Sequence, residues 1–344
     1  VDVLDFDYSL PPELIAQKPA VSRDASRLLS VCRQTGTLRH HRFADLPGLL
    51  RAGDVLIVND SRVIAARVLA RDAADREVEL LFVEPVDDGS WRALVRPGKR
   101  CPPGAELTVS GAGAPRLRVR SREPDGTRTI EALDGDIAAL LDAHGLPPLP
   151  PYIEHHATPG PEDRERYQTV YARSPGSVAA PTAGLHFSDE TLGALRARGI
   201  TVEPLTLHVG PATFRPLRGS RVEDHELPPE RVVVPERTAA VVNAARAEGR
   251  RIIAVGTTTT RALEAVARDD GTLGPFDGRV ALFIYPGHRF RIVGALLTNF
   301  HLPRSSLLVL VSAFAGRDLV LRAYREAIAE RYRFYSYGDA SLFL

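Results

Sequence analysis

The chain has 344 residues, of which 44% are hydrophobic and 25% charged, with a formal net charge of +1. That length exceeds one compact core and predicts two domains. The near-zero charge gives no global polyanion-binding signature, and no apolar run approaches the roughly 20 residues of a membrane span. Cys32 and Cys101 stand alone, which excludes a disulfide framework and a cluster with three or four cysteine ligands from one chain; a reducing compartment is expected. The first residues lack the basic and apolar pattern of a secretory signal, so a cytoplasmic setting is expected. Basic residues are almost all arginine, with Lys18 and Lys99 the exceptions. Arginine suits bidentate phosphate contacts and stacking on bases, although a GC-rich genome produces the same bias.

Residues 10–16 read as a turn feeding a short helix, with prolines tolerated at its start. Residues 23–29 lead into a strand. The apolar, β-branched run 54–58 is bounded by Gly53 and by Asn59-Asp60-Ser61-Arg62, and reads as a buried strand ending in a polar turn. From 65 to 133 the character changes to short alternating runs near 67, 78, 91, 106, 117 and 127. Turn clusters such as Asp87-Asp88-Gly89 and Cys101-Pro102-Pro103-Gly104 separate them, which predicts an antiparallel barrel or sandwich. A helix over 135–144 and a stiff proline-rich connector over 145–152 follow. His155 and His156 are adjacent, a poor metal signal because neighbouring side chains rarely converge on one ion.

Residues 178–187 combine small residues, Pro181, Thr182, Gly184 and His186. Small residues admit a ligand close to the backbone, and the hydroxyl and ring supply chemistry; an ordinary loop with one surface histidine is the alternative. Ser188 caps a helix to about 198, and a strand over 200–209 runs into His208, Gly210 and the stretch to Phe214. A loop at 223–227 carries Asp224 and His225. Helices are expected from 235 to 248, 257 to 268, 303 to 315 and 317 to 332, and strands over 251–256, 281–285 and 291–297. The strand, Gly256 and the helix opening at Thr257 and Thr258 form a potential ligand cradle, though not a P-loop, because the lysine and the glycine spacing are missing. Strand–helix alternation implies an α/β main domain, residues 1–64 and 149–344, carrying an inserted all-β, antiparallel barrel-like domain over 65–148.

Polar loops at strand ends of an α/β sheet converge on one crevice. Those around Asn59, Thr182, His208, Thr257 and Asn299 therefore bring His186, His208 and His301 into one neighbourhood. General acid–base work, a metal site and purely structural imidazoles are all open to them; no ligand-type spacing supports the metal. A Gly-x-Ser-x-Gly elbow and a Gly-x-Gly-x-x-Gly fingerprint are absent.

Several motifs together resemble the S-adenosylmethionine:tRNA ribosyltransferase-isomerases of queuosine biosynthesis. They are Asn59-Asp-Ser-Arg-Val-Ile64, Leu146-Pro-Pro-Leu-Pro-Pro-Tyr-Ile153, Tyr167-Gln-Thr-Val-Tyr171, Ala180-Pro-Thr-Ala-Gly-Leu-His-Phe187, Leu205-Thr-Leu-His-Val-Gly210, Val255-Gly-Thr-Thr258, Thr298-Asn-Phe-His-Leu-Pro303, Leu310-Val-Ser-Ala-Phe-Ala-Gly316 and Phe334-Tyr-Ser-Tyr-Gly-Asp-Ala340. They occur in the family's order across essentially the whole chain. Departures are small: Asp60 where Asn is usual, Ala65 where Pro is common, and Ser341 where Met is common.

The resemblance implies transfer and isomerisation of the ribosyl moiety of S-adenosylmethionine onto 7-aminomethyl-7-deazaguanine at the tRNA wobble position. Adenine and methionine leave and epoxyqueuosine remains. S-adenosylmethionine is then a substrate, with no cofactor and no metal, and the partners are the precursor tRNA and no membrane; a monomer is expected. His186, His208 and His301 are the acid–base candidates, with Asp224 and His225 an alternative pair. Asn59, Arg62, Thr182, Gly184, Thr257, Thr258, Asn299 and Tyr337 are candidates for holding the substrate, with Tyr285 a second aromatic face for the sulfonium. Arg23, Arg27, Lys99 and Arg100, with Arg62, are candidates for tRNA backbone contacts. A non-catalytic tRNA-binding module and a metal-dependent hydrolase are the rival classes.

Overall fold

A computed structural model describes every residue except 87, 112, 114, 212–216 and 218. Asp87 of the expected 87–89 turn, and 212–214 of the stretch beyond Gly210, lie outside the described residues. The chain folds into two compact units, one from Val1–Ser61, Gln168–Ser174 and Ala180–Leu344, the other from Arg62–Tyr167 and Pro175–Ala179.

The first unit is built on a sheet that has nine strands among the described residues. Their order is Phe276–Val280, Glu230–Val234, Thr201–Leu207, Val55–Asn59, Ile252–Val255, Ala295–Asn299, Ala340–Phe343, Arg27–Val31 and Leu38–Arg42. The four strands Thr201–Leu207, Val55–Asn59, Ile252–Val255 and Ala295–Asn299 run parallel to one another. Val55–Asn59 is buried at all five positions, as a central strand covered on both faces must be; such strands read as continuous apolar runs. One face packs Leu56, Val58, Val255 and Leu297 against Phe43, Phe187 and Leu195. Helix Asp189–Ala197 starts where Ser188 Oγ accepts the Thr191 amide at 3.1 Å. Gly256, at φ +93°, turns strand Ile252–Val255 into helix Thr257–Val266, a left-handed backbone that side chains resist. Ser306–Ala315 is the helix expected within 303–315, and most of its residues are buried.

Two expected strands are corrected. Residues 281–285 form no strand; the edge strand is Phe276–Val280, antiparallel to Glu230–Val234. A continuous apolar run reports burial rather than pairing, and Ile284 is buried without a ladder. In the 291–297 segment, pairing begins only at Ala295. The amides of Arg291, Ile292 and Val293 are taken at 2.7, 3.0 and 2.9 Å by the Glu264 carboxylate, so no neighbouring strand receives them. The last strand, Ala340–Phe343, was not anticipated. It lies between Ala295–Asn299, to which it is antiparallel, and Arg27–Val31, to which it is parallel.

The second unit contains a closed antiparallel barrel, ordered Arg128–Ala132, Trp91–Arg96, Glu77–Pro85, Arg67–Arg71, Glu106–Val109 and Arg116–Arg122. Val68, Leu80, Phe82, Leu107, Val119 and Ile130 fill its core by strict alternation. Helix Ile137–His144 adds Ile137, Leu140 and Leu141 to the same core. The unit extends past the expected 65–148 span. Arg67 Nη1 donates to the carbonyls of His156 and Ala157 at 2.9 Å each, and Arg164 Nη2 to Gly145 O at 2.9 Å, which draws the following segment onto the barrel.

Candidate functional site

In the first unit, the four parallel strands end at Leu207, Asn59, Val255 and Asn299 on one edge of the sheet. Ala340 and Arg27, which start strands of the opposite direction, open at the same edge. This is where an α/β sheet collects polar loops.

His186 closes the 3-10 turn Thr182–His186 and is 4% exposed. The Asn299 amide donates both to the Tyr335 carbonyl at 2.9 Å and to His186 Nε2 at 3.2 Å. A carbonyl can only accept, so the amide orientation is set, and Nε2 must be the unprotonated nitrogen. Nδ1–H therefore donates to Ser26 Oγ at 2.7 Å, and that hydroxyl donates on to Arg23 O at 3.3 Å. The ring stacks on Phe43, centroids 5.1 Å apart. Burial, with the nearby Arg333 guanidinium second, pushes the imidazole down to about 3. His186 is thus neutral, with both nitrogens engaged inside the protein.

His301 is held in a similar way. Its ring Nε2 meets Thr298 Oγ1 at 2.9 Å, its amide donates to Tyr324 Oη at 3.0 Å, and its carbonyl accepts from Tyr8 Oη at 2.5 Å. Burial takes its pKa to about 3 as well. His208 differs. It is half-buried, and its Nδ1 lies 3.3 Å from Ser61 Oγ. Burial, then Arg231, hold its pKa below the usual histidine value, against the pull of Asp60.

The remaining candidates divide. Asn59 Oδ1 accepts the amides of Leu207 at 3.0 Å and Ser61 at 3.1 Å, and Nδ2 donates to Leu207 O at 2.9 Å, so its side chain fastens the turn that carries His208. Thr257 and Thr258 are buried in the first turn of their helix, which has no side-chain cap. Thr182 is half-buried and Tyr337 buried. Gly184 has no room for a side chain, since a Cβ there meets Tyr171 Oη at 2.2 Å and Thr169 Cγ2 at 2.7 Å. Asp224 is exposed, while His225 packs edge-on against Phe283, itself 5.8 Å from Tyr285; no hydrogen bond or ion pair joins Asp224 to His225 among the described residues. Arg23 Nη1 donates to Leu185 O at 3.2 Å, and Arg27 lies 3.8 Å over the Tyr332 ring. In the second unit Arg62 and Lys99 are exposed, and Arg100 reaches Asp72 at 4.0 Å.

Ser26 and Phe43 were missed from the sequence, because an isolated serine or phenylalanine carries no local signal; Ser61 lies in the polar turn 59–62 that the sequence does mark. Thr169 Oγ1, Tyr171 Oη and Asn299 Oδ1 are buried atoms with no hydrogen-bond partner, a pattern that native proteins keep for a reason. The first two belong to the Tyr167–Tyr171 motif. Among the described residues no three His, Cys, Asp or Glu side chains form a metal-ligand set, and no helix is long and apolar enough to cross a membrane.

A mixed sheet with polar, imidazole-bearing loops along one edge, and a barrel formed within the same chain, define an α/β enzyme with an all-β insertion. The family model described as "Queuosine biosynthesis protein" matches residues 3–343, and the chain belongs to that family. It is 51% identical over 342 residues to the S-adenosylmethionine:tRNA ribosyltransferase-isomerase of Symbiobacterium thermophilum, covering 99% of each chain. It is 50% identical over 343 residues to the Moorella thermoacetica protein of the same name, again covering 99% of each. The crystal structure of S-adenosylmethionine tRNA ribosyltransferase from Thermotoga maritima matches with a TM-score of 0.57 and 38% identity, over 99% of this chain and 100% of that one.

Proposed function

We infer that the chain is an S-adenosylmethionine:tRNA ribosyltransferase-isomerase of queuosine biosynthesis. The observation that carries this is identity of about half the residues along the full length of relatives bearing that name. The enzyme moves the ribosyl part of S-adenosylmethionine onto the aminomethyl group of 7-aminomethyl-7-deazaguanine in tRNA and isomerises it. Adenine and methionine are released. With relatives of this name over the whole length, a non-catalytic tRNA-binding module falls away.

The chemistry needs a base for the acidified carbon beside the sulfonium, help for departing adenine, and a positioned neutral amine. His208 is our choice of base: it is half-exposed, and Ser61 orients its Nδ1. His186 and His301, buried and held neutral, shape the wall. Asn299 Oδ1, an acceptor without a donor, suits an N–H or O–H of the nucleoside, and Thr182, Thr257 and Thr258 are assigned as further contacts. Arg23, Arg27, Arg62, Lys99 and Arg100 are assigned to the tRNA backbone. S-adenosylmethionine serves as substrate, and the reading adds no cofactor. A cytoplasmic monomer goes with it; sedimentation velocity checks the oligomeric state.

The test is incubation with S-adenosylmethionine and tRNA carrying the precursor base. Stoichiometric free adenine and methionine are expected, and intact S-adenosylmethionine after prolonged incubation would sink the reading. Replacing His208 by Gln is expected to lower the rate about 10²–10⁴-fold, the usual contribution of a general base. Parent-like turnover in that variant would remove His208 from the role.

A further inference from the structure

Arg261 and Glu230 are a buried ion pair outside the groups assigned above, 3% and 7% exposed. Arg261 stands on helix Thr257–Val266, and Glu230 opens strand Glu230–Val234. Arg261 Nη2 donates to Glu230 Oε2 at 2.5 Å. The other oxygen, Oε1, accepts the Gly210 amide at 3.0 Å. The next residue of the same strand holds His208 itself, whose amide donates to Arg231 O at 3.1 Å. Residues 208 to 210 are therefore pinned at both ends by positions 230 and 231. Glu230 is in turn pinned by Arg261, about one helical turn beyond Thr257 and Thr258.

Stability does not account for this pair. A cation in the first half of a helix opposes the helix dipole. Well-packed apolar residues commonly replace a buried ion pair at no loss. Arg261 Nε is buried without a hydrogen-bond partner, a penalty that an apolar side chain avoids. What an apolar pair cannot do is accept the Gly210 amide and tie it to the helix.

We propose that Arg261 and Glu230 are positioning residues for the transfer reaction: they lock the 208–210 turn to helix Thr257–Val266 and so hold His208 in its working orientation. The proposal rests on the assignment of His208 as the base. Glu230 supplies the acceptor, and Arg261 fixes where that acceptor sits.

The experiment compares the parent with Arg261→Met, with the double variants Arg261→Met/Glu230→Gln and Arg261→Met/Glu230→Leu, and with His208→Gln. Adenine release gives kcat and KM, and thermal melting reports folding. Both doubles remove the buried charges, and both are expected to melt near the parent. Only Gln at 230 keeps an acceptor for the Gly210 amide. Arg261→Met and the Leu double are expected to lose at least tenfold in kcat, with KM for S-adenosylmethionine within about threefold of the parent. The Gln double, which keeps the acceptor but loses its tie to the helix, is expected to recover only part of that loss. Equal kcat in two doubles that melt alike overturns the proposal, as does parent-like kcat in Arg261→Met when His208→Gln is impaired. Parent-like kcat in His208→Gln overturns the base assignment, and this proposal with it. A parent that releases no adenine overturns the functional reading itself.

Discussion

Burial decides the protonation of His186. An imidazolium there would give up its hydration and face the Arg333 guanidinium. The folded pKa of about 3 lies below the ordinary value of 6.5, so the unfolded chain takes up the proton first. The stabilisation is complete above about pH 6.5 and is lost as pH falls toward 3. His301, also at about 3, acts with the same sign. Between pH 5 and 6, above most carboxylate titrations, each such ring adds about 1.2 kcal/mol of stability per pH unit. Urea titrations of a His186→Gln variant are expected to show a slope shallower by about that amount. An unchanged slope means that His186 is protonated when folded. At Gly184 the constraint is space rather than charge. Gly184→Ala drives a methyl group into Tyr171 Oη and is expected to cost about 1–3 kcal/mol. Adding Tyr171→Phe removes the nearest atom and a hydroxyl that has no partner; a double variant no more stable than Gly184→Ala alone would refute the steric account.

Among the elements, the segment before strand Ala295–Asn299 depends on one carboxylate. Glu264 accepts the amides of Arg291, Ile292 and Val293. Burial works against its charge, but His288 and these amides outweigh it and hold the pKa low. Glu264→Ala leaves three amides without their acceptor, and a loss of about 3–5 kcal/mol in chemical denaturation is expected, at 1–3 kcal/mol for each unsatisfied group reduced by relaxation. A loss below 1 kcal/mol would show that these amides find other partners. The same carboxylate explains the misplaced strand. Residues 291–293 look strand-like from their apolar content, yet the partner of their amides is a side chain from helix Thr257–Val266. Local sequence carries no trace of that choice. Where the signal is local, the expectation holds: Ser188 caps its helix, and the barrel strands alternate as their residues do.

For the molecule as a whole, the C-terminal strand matters most. Ala340–Phe343 sits inside the sheet, between Ala295–Asn299 and Arg27–Val31, and all four of its residues are buried. Removing residues 340–344 takes out a strand with both neighbours attached, unlike trimming an edge. The shortened chain is expected to lose cooperative unfolding, monitored by circular dichroism and proteolysis; a parent-like melt would contradict the topology. The side chains proposed to meet tRNA phosphates make the second prediction at this scale. KM for tRNA is expected to rise steeply with salt while KM for S-adenosylmethionine changes little, and a flat response would remove Arg23, Arg27, Lys99 and Arg100 from that role.

The sequence by itself determined the α/β core, the barrel and the family, because these rest on periodicity, turn residues and motif order, all properties of neighbouring positions. It also singled out His186, His208, His301 and Asn299. Only the tertiary structure separated them. His186 and His301 are buried and neutral, His208 is half-exposed beside Ser61, and Asn299 selects the tautomer of a ring 113 positions away. Burial and hydrogen-bond partners come from strands that the fold makes adjacent, so no window of local sequence contains them.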